Sequence, residues 1–481
     1  MGATRDYLWL GAILLLALGL RLWGLNAPLW YDEILTVETH LRLPWGQMMQ
    51  GYSMNHHYFF DLQSKLAVAA FGETIWAIRL PALVFGLGAI AAIWWLARDI
   101  AGAAVAHLTG LLLAISYHHI WFSQNARGYT ELAFWSALGM ILFLRGMKTP
   151  ARGLWLGYAV VLAAAVFTHL TGAFLFAAQG LVWLAVVLWD AARGRLARPK
   201  LLLPLLGYGL GAALTIALYA PLLPSLLQTV GGVAGTSAVD VMQEYQNPLW
   251  TIYEAVRSAV GSAGPVIGLV ALGMIGLAVV GGVQTHRSAP LFAPLVLLHI
   301  VLTMALLSAL GMRIWPRFFF ADIGFLMLLI VLGVRAVCTG LGAFSGPRLS
   351  AQRLFTIAAA LMIVVSAGLA ARNYSAPKQN LAGAFDLVEA SRKPGEQVYV
   401  VGVVGPAFTG HFDADWVPLT SNADYAAAMA QPGPALVVIA FPARTFRAFP
   451  DLDADSEGAL TLLRRFPGTL GDGAVLVFRR G

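Results

Sequence analysis

Long apolar runs dominate the chain. Stretches able to cross about 30 Å of hydrocarbon fall near residues 7–25, 80–97, 101–121, 129–146, 153–169, 171–189, 201–222, 264–284, 290–310, 318–338 and 354–371. The pattern predicts eleven membrane-spanning helices. A twelfth stretch, His56 to Gly72, is apolar but includes His56, His57, Asp61, Gln63 and Lys65. Hydrocarbon penalises each charge by roughly 2–3 kcal/mol. This stretch is read as a helix lying at, or dipping into, the membrane interface. Beyond about residue 371 the period changes. Leu381–Ala390 reads as an amphipathic helix and Pro394-Gly395 as a turn. Gln397–Val404 and Ala435–Phe441 read as buried strands, Gly458–Arg465 as a helix and Ala474–Phe478 as a strand. The expected architecture is an all-α polytopic membrane domain, 1–371, followed by a small soluble α/β domain, 372–481.

Composition agrees with that division. Of 481 residues, 59% are hydrophobic and 11% are charged, whereas soluble domains carry about a quarter charged residues. This excludes a cytosolic enzyme and a disordered chain. The formal charge of +7 does not indicate nucleic acid, because the basic residues are scattered at the ends of apolar runs. The last 110 residues hold 21 of the 55 charges, so the tail has near-ordinary polarity. Cys338 is the single cysteine, and the tail must cohere without a disulfide. The first run lacks a small-residue cleavage site and is read as a retained span rather than a signal.

Charge placement sets the expected direction. Arg145, Lys148 and Arg152 share one loop, Arg193, Arg195, Arg198 and Lys200 a second, and Arg348 and Arg353 a third. All three are cytoplasmic if the amino terminus is inside and 56–72 does not span. The tail is then extracytoplasmic, periplasmic in a bacterial inner membrane. The outward face carries a long first loop, 26–79, short turns at 122–128 and 311–317, and a loop at 223–263. Of 13 acidic residues before 372, only Asp6, Asp99 and Asp190 fall at cytoplasmic ends.

Four constellations on that face carry candidate chemistry. Trp30-Tyr31-Asp32-Glu33 puts two carboxylates at the membrane surface. One of them is placed to act as a base on an acceptor hydroxyl; the plainer reading is an aromatic belt with solvated acids. Ser123-Gln124-Asn125-Ala126-Arg127-Gly128-Tyr129 puts a guanidinium at the same depth, suited to a phosphate or to snorkelling. Asn55-His56-His57-Tyr58, with His169, brings three histidines to one face, which a metal could bridge. Adjacent helical side chains diverge by about 100°, so hydrogen-bonding roles are favoured for His56 and His57. Arg313-Ile314-Trp315-Pro316-Arg317 precedes Asp322, and Arg317 could pair with Asp322 or hold a lipid phosphate. Arg21 and Arg79 complete the cations at this depth. The tail has no Gly-rich phosphate fingerprint and no metal-ligand spacing.

With those residues in place, the chain resembles the GT-C glycosyltransferases, in the branch of the protein mannosyltransferases and lipid A aminoarabinose transferases. The resemblance rests on Arg21-Leu22-Trp23-Gly24-Leu25, Leu29-Trp30-Tyr31-Asp32-Glu33, Asn55-His56-His57-Tyr58-Phe59-Phe60, Phe71-Gly72-Glu73, Arg79-Leu80-Pro81 and the Ser123–Tyr129 turn. It covers about residues 7–330. It implies a polyprenyl-phosphate sugar as donor and inversion at the anomeric carbon. By the same resemblance Asp32 is the general base and Glu33 supports it. Arg127 and Tyr129 lie near the donor phosphate, Arg317 matches a late-loop arginine, and His56 matches a family histidine. His57, Arg79 and membrane lipids join the donor-binding expectation. Two departures stand out: the proline after the family's histidine is His57 here, and a frequent glutamate of the turn is Asn125. No cofactor is expected, a divalent metal being the alternative. The acceptor is a lipid, polysaccharide or protein hydroxyl. Rival readings are a flippase of lipid-linked sugars, which calls for midplane polar groups and repeated halves, and a non-catalytic lipid-binding subunit.

Overall fold

The computed structural model describes residues 2–233, 243–260, 266–344 and 350–481. Each expected apolar run coincides with a helix or a helix pair in it, from Gly2–Leu22 to Ala351–Ala371. Among the described residues, seven helices are long and apolar enough to cross a membrane, eight if one bent pair counts as a span. The run at 101–121 is that pair. Ala103–Ala114 and Tyr117–Ser123 meet at 60°, where Ser116 accepts from the His119 amide and starts a new helix. The run at 318–338 opens with a tight turn, Pro316–Asp322, before the helix Ile323–Phe344. Arg348 and part of the 223–263 loop lie outside the described residues.

The stretch at 56–72 forms the helix Tyr58–Phe71. Fourteen residues extend only about 21 Å, short of the hydrocarbon thickness. It packs beside Ile75–Ala101 with Asp61 and Ser64 buried. Around it run the long helices, whose core is built on Trp94, Phe143, Trp155 and Tyr158.

The carboxyl-terminal part is a five-stranded sheet. Its strands are β1 (Gln397–Val401), β2 (Val417–Leu419), β3 (Ala435–Ala440), β4 (Leu460–Phe466) and β5 (Val475–Arg480), in the order β2-β1-β3-β5-β4. β1 is parallel to β2 and β3, whereas β5 runs antiparallel to β3 and β4. β3 is buried at every position, as expected of a central strand covered on both faces. The helix expected at Gly458–Arg465 is instead β4. Leu460 and Leu463 have the three-residue spacing of a helix face, yet Leu463 stays exposed. Pairing with β5 decides the conformation, because an edge strand answers to its neighbour more than to its own pattern.

One apolar cluster joins this sheet to the first long loop. Leu29, Ile34 and Val37 of the loop pack with Leu381, Val400 and Phe408 of the tail. Fully burying each such side chain contributes about 1.5–3 kcal/mol. The sheet domain is therefore seated on the segment that carries Asp32 and Glu33.

Candidate active site

Asp32 and Glu33 are neighbours in a short helix, Tyr31–Thr36, but their surroundings differ. Glu33 is fully buried. Arg79 grips it with two parallel hydrogen bonds, Nε to Oε1 at 2.7 Å and Nη2 to Oε2 at 2.6 Å. The Ala126 amide donates to Oε1 at 2.6 Å and the Trp30 amide to Oε2 at 3.2 Å. Burial alone would raise the Glu33 pKa; the Arg79 charge and hydrogen bonds reverse that and hold it below the usual carboxylate value. Arg79 also donates to the carbonyls of Leu25, Ala27 and Pro28. All five of its N–H groups are thus committed, and it ties the first loop to the helix Ile75–Ala101.

Asp32 faces outward into a partly open position. Its Oδ2 lies 3.6 Å from Nη1 of Arg317, whose guanidinium rests on the Trp315 ring at 4.9 Å; Asp322, the partner expected for Arg317, is instead bonded to His299 Nδ1 at 2.8 Å. Arg127 is 3% exposed and donates from Nη1 to the Thr36 hydroxyl at 3.3 Å. That hydroxyl donates to the Asp32 carbonyl, so Arg127 is held against the same short helix.

The Ser123–Tyr129 turn is fastened on both sides. Gln124 Nε2 donates to the carbonyls of Arg21 and Trp23, satisfying acceptors that a helix end leaves open. Asn125 Oδ1 accepts from Trp30 Nε1 at 3.0 Å. Gly128 must lack a side chain, since a Cβ would stand 2.8 Å from Thr168 and 2.9 Å from His57 Nδ1. That proximity lets its amide donate to His57 Nδ1 at 3.1 Å.

His57 is therefore the tautomer protonated on Nε2. Burial, then Arg127, His169 and Arg317, keep its pKa well below the ordinary imidazole value, and the ring is neutral. The ring lies 4.8 Å from both Tyr129 and His169. The His57 Nε2–H, the Arg127 Nε–H and the Arg317 Nε–H are all buried without a hydrogen-bond acceptor. The Arg127 and Arg317 charges both act on His57, so the three unfilled donors, two of them cationic, make this recess electropositive. His56 turns the other way, its ring 4.1 Å from that of His40 and tilted 32° to it. Adjacent in sequence, His56 and His57 serve separate surroundings.

The comparisons with known proteins bear on this arrangement. Residues 56–221 match the family model described as dolichyl-phosphate-mannose-protein mannosyltransferase. Two crystal structures of ArnT from Cupriavidus metallidurans, in the apo state and bound to undecaprenyl phosphate, superpose with TM-scores of 0.54 and 0.52. Their identities are 14% and 13%, and both alignments cover 100% of this chain and 98% of that one. The Archaeoglobus fulgidus oligosaccharyltransferase in complex with Zn and sulfate superposes with a TM-score of 0.55 at 13% identity, covering 90% of this chain and 68% of that one. No curated protein matches by sequence. The chain has the GT-C glycosyltransferase fold. The expected fold class holds, and the protein is an integral membrane protein.

Within this GT-C fold, the matched stretch contains His56, His57, Arg79, Arg127 and Tyr129, but Asp32 and Glu33 precede it. A metal beside Asp32, which the zinc-bound oligosaccharyltransferase brings to mind, does not fit the residues present. Arg317 already stands 3.6 Å from its carboxylate, and Glu33 has both oxygens engaged. Sequence reasoning missed Lys378 and Gln379. Lys378 Nζ donates to the Gln124 carbonyl, and Gln379 Oε1 accepts from the Tyr31 amide at 3.2 Å. A lone lysine in a polar tail gave no signal, because only the folded domain carries it into the turn. Arg21, counted among the cations at that depth, is a buried strut bonded to Ser123, His119 and the Ala114 carbonyl.

Proposed function

We propose that this protein is an inverting glycosyltransferase that moves a sugar from a polyprenyl phosphate to an acceptor hydroxyl at the outer membrane surface. The observation that carries the reading is the trio of buried, unfilled donors on His57, Arg127 and Arg317, next to the Asp32 carboxylate. One neighbour of the same fold is bound to undecaprenyl phosphate, a ligand whose phosphate suits that trio.

In this reading Asp32 takes the proton of the acceptor hydroxyl. The acceptor oxygen forms a bond to the anomeric carbon while the carbon–phosphate oxygen bond breaks on the opposite face. The leaving polyprenyl phosphate gains negative charge, which Arg127 and Arg317 neutralise and the His57 Nε2–H stabilises by a hydrogen bond. Tyr129 lines the same recess. Glu33 takes no proton; clamped by Arg79, it fixes the helix that aims Asp32. The chemistry belongs to residues 1–371, and the extracytoplasmic domain at 372–481 braces the first loop. The acceptor is a lipid, a surface polysaccharide or a protein.

The test is binding of undecaprenyl phosphate to the purified full-length protein in detergent. A charge-assisted hydrogen bond contributes about 1.5–3 kcal/mol, so Arg127→Met and Arg317→Met should each weaken binding about tenfold or more. Unchanged affinity in both folded variants would overturn the phosphate site.

A further inference from the structure

A second cluster lies one turn beyond the candidate active site. The helix bearing Asp32 runs into a π-helical turn, Val37–Leu41, that carries His40. His56 and Asp61 flank the start of the helix Tyr58–Phe71. His40 Nδ1 is 2.7 Å from Asp61 Oδ2, and His56 Nδ1 is 3.3 Å from the same oxygen. One ligand atom from each side chain lies within 4.8 Å of the others. The side chains of all three are at most 7% exposed.

Proton bookkeeping shows what this geometry asks for. His40 Nε2 is 2.8 Å from the Met48 carbonyl, an acceptor only, so Nε2 carries a proton. Thr39 gives its hydroxyl proton to the Leu35 carbonyl at 2.6 Å. Its oxygen can then only accept from His56 Nε2, 3.3 Å away, so that nitrogen is protonated too. As neutral rings, His40 and His56 both turn an Nδ1 lone pair onto a carboxylate oxygen. Three electron-rich atoms in a buried pocket need a cation among them. A proton on His40 would satisfy the shorter contact but leave His56 Nδ1 unbonded, and that atom is without a hydrogen bond in the structure. Lys65 does not enter, because its ammonium is committed to the carbonyls of Leu41 and Leu43.

We infer that His40, His56 and Asp61 form a binding site for a divalent transition-metal ion of the zinc class. Two imidazoles and one carboxylate suit Zn²⁺ far better than Mg²⁺ or Ca²⁺, which take oxygen ligands. Tetrahedral zinc with bonds of about 2.0–2.1 Å spaces its ligand atoms about 3.3 Å apart; the His56–Asp61 spacing of 3.3 Å matches, and the His40–Asp61 contact of 2.7 Å would have to open on binding. Each histidine already has the outer hydrogen bond that orients a ligating ring, His40 to Met48 and His56 to Thr39. The site lies apart from Asp32 and supplies no reacting group. It staples the Asp32-bearing segment to the one that carries His57, and it is independent of the transfer reading.

The test uses full-length protein without a polyhistidine tag, stripped by chelator and titrated with Co²⁺ and Zn²⁺. The expected results are a tetrahedral Co²⁺ absorption band that Zn²⁺ displaces at one equivalent, and a higher unfolding temperature with Zn²⁺. His56→Ala and Asp61→Asn should abolish both effects, whereas His169→Ala, which alters the histidine neighbouring His57, should keep both. Thr39→Val, which leaves all three ligands intact, should weaken Zn²⁺ about tenfold and serves if the ligand variants fail to fold. No band and no thermal effect in the wild-type protein would overturn the site. So would a band that survives in His56→Ala or disappears in His169→Ala.

Discussion

Two adjacent carboxylates with opposite surroundings define the residue scale. Glu33 has four hydrogen bonds and an arginine partner, whereas among the described residues the Asp32 carboxylate is paired with Arg317, at 3.6 Å. Removing one member of a buried ion pair strands the other, at a cost of about 3–5 kcal/mol. Arg79→Met should therefore lower stability by about that amount, read as a fall in the denaturation midpoint in detergent. A midpoint within error of wild type would show that the clamp does not hold the loop. The contrast between the carboxylates is invisible in the sequence, where the pair is simply DE. The chain shows that acids and arginines gather on one face. It does not show that Arg79 is spent on Glu33 while Arg127 and Arg317 keep donors in reserve, because that depends on contacts 46 residues apart or more.

At the scale of elements, the long apolar runs were legible because hydrocarbon length and backbone satisfaction leave little choice but a helix. The break between Ala103–Ala114 and Tyr117–Ser123 was not, since Ile115-Ser116 interrupts hydropathy too little to register. It matters, because the second half of that pair delivers the Ser123–Tyr129 turn. The edge strand β4 misled for the opposite reason: Leu460 and Leu463 copy the spacing of a helical face, and the antiparallel partner corrects it. The turn itself was recognised as a motif, but its need for Gly128 comes from the close approach of Thr168 and His57, elements that the sequence does not bring together.

For the whole molecule, the carboxyl-terminal domain reaches back into the site. Gln379 meets Tyr31, Asn373 meets Gln124, and Thr469 accepts from Tyr117 and Trp121. Lys378 enters the turn itself, donating to the Gln124 carbonyl. Burial, then the charge of Arg79, lowers its pKa to about 7, with Glu33 opposing. An unfolded lysine keeps its proton up to about pH 10.4. Between those values the unfolded chain binds more protons than the folded one, so this residue makes stability rise with pH above about 7. Unfolding temperatures measured from about pH 6 to about pH 9 should show that rise in the wild-type protein and a flatter profile in Lys378→Met; parallel profiles would separate the lysine from the effect. The account as a whole turns on Asp32 as the base. Its most direct test is the rate of sugar transfer by Asp32→Asn, using lipid-linked donor extracted from the native membrane. General-base loss predicts a fall of about a hundredfold or more, with undecaprenyl phosphate binding retained. A folded Asp32→Asn protein that binds the lipid and transfers sugar at the wild-type rate would contradict it.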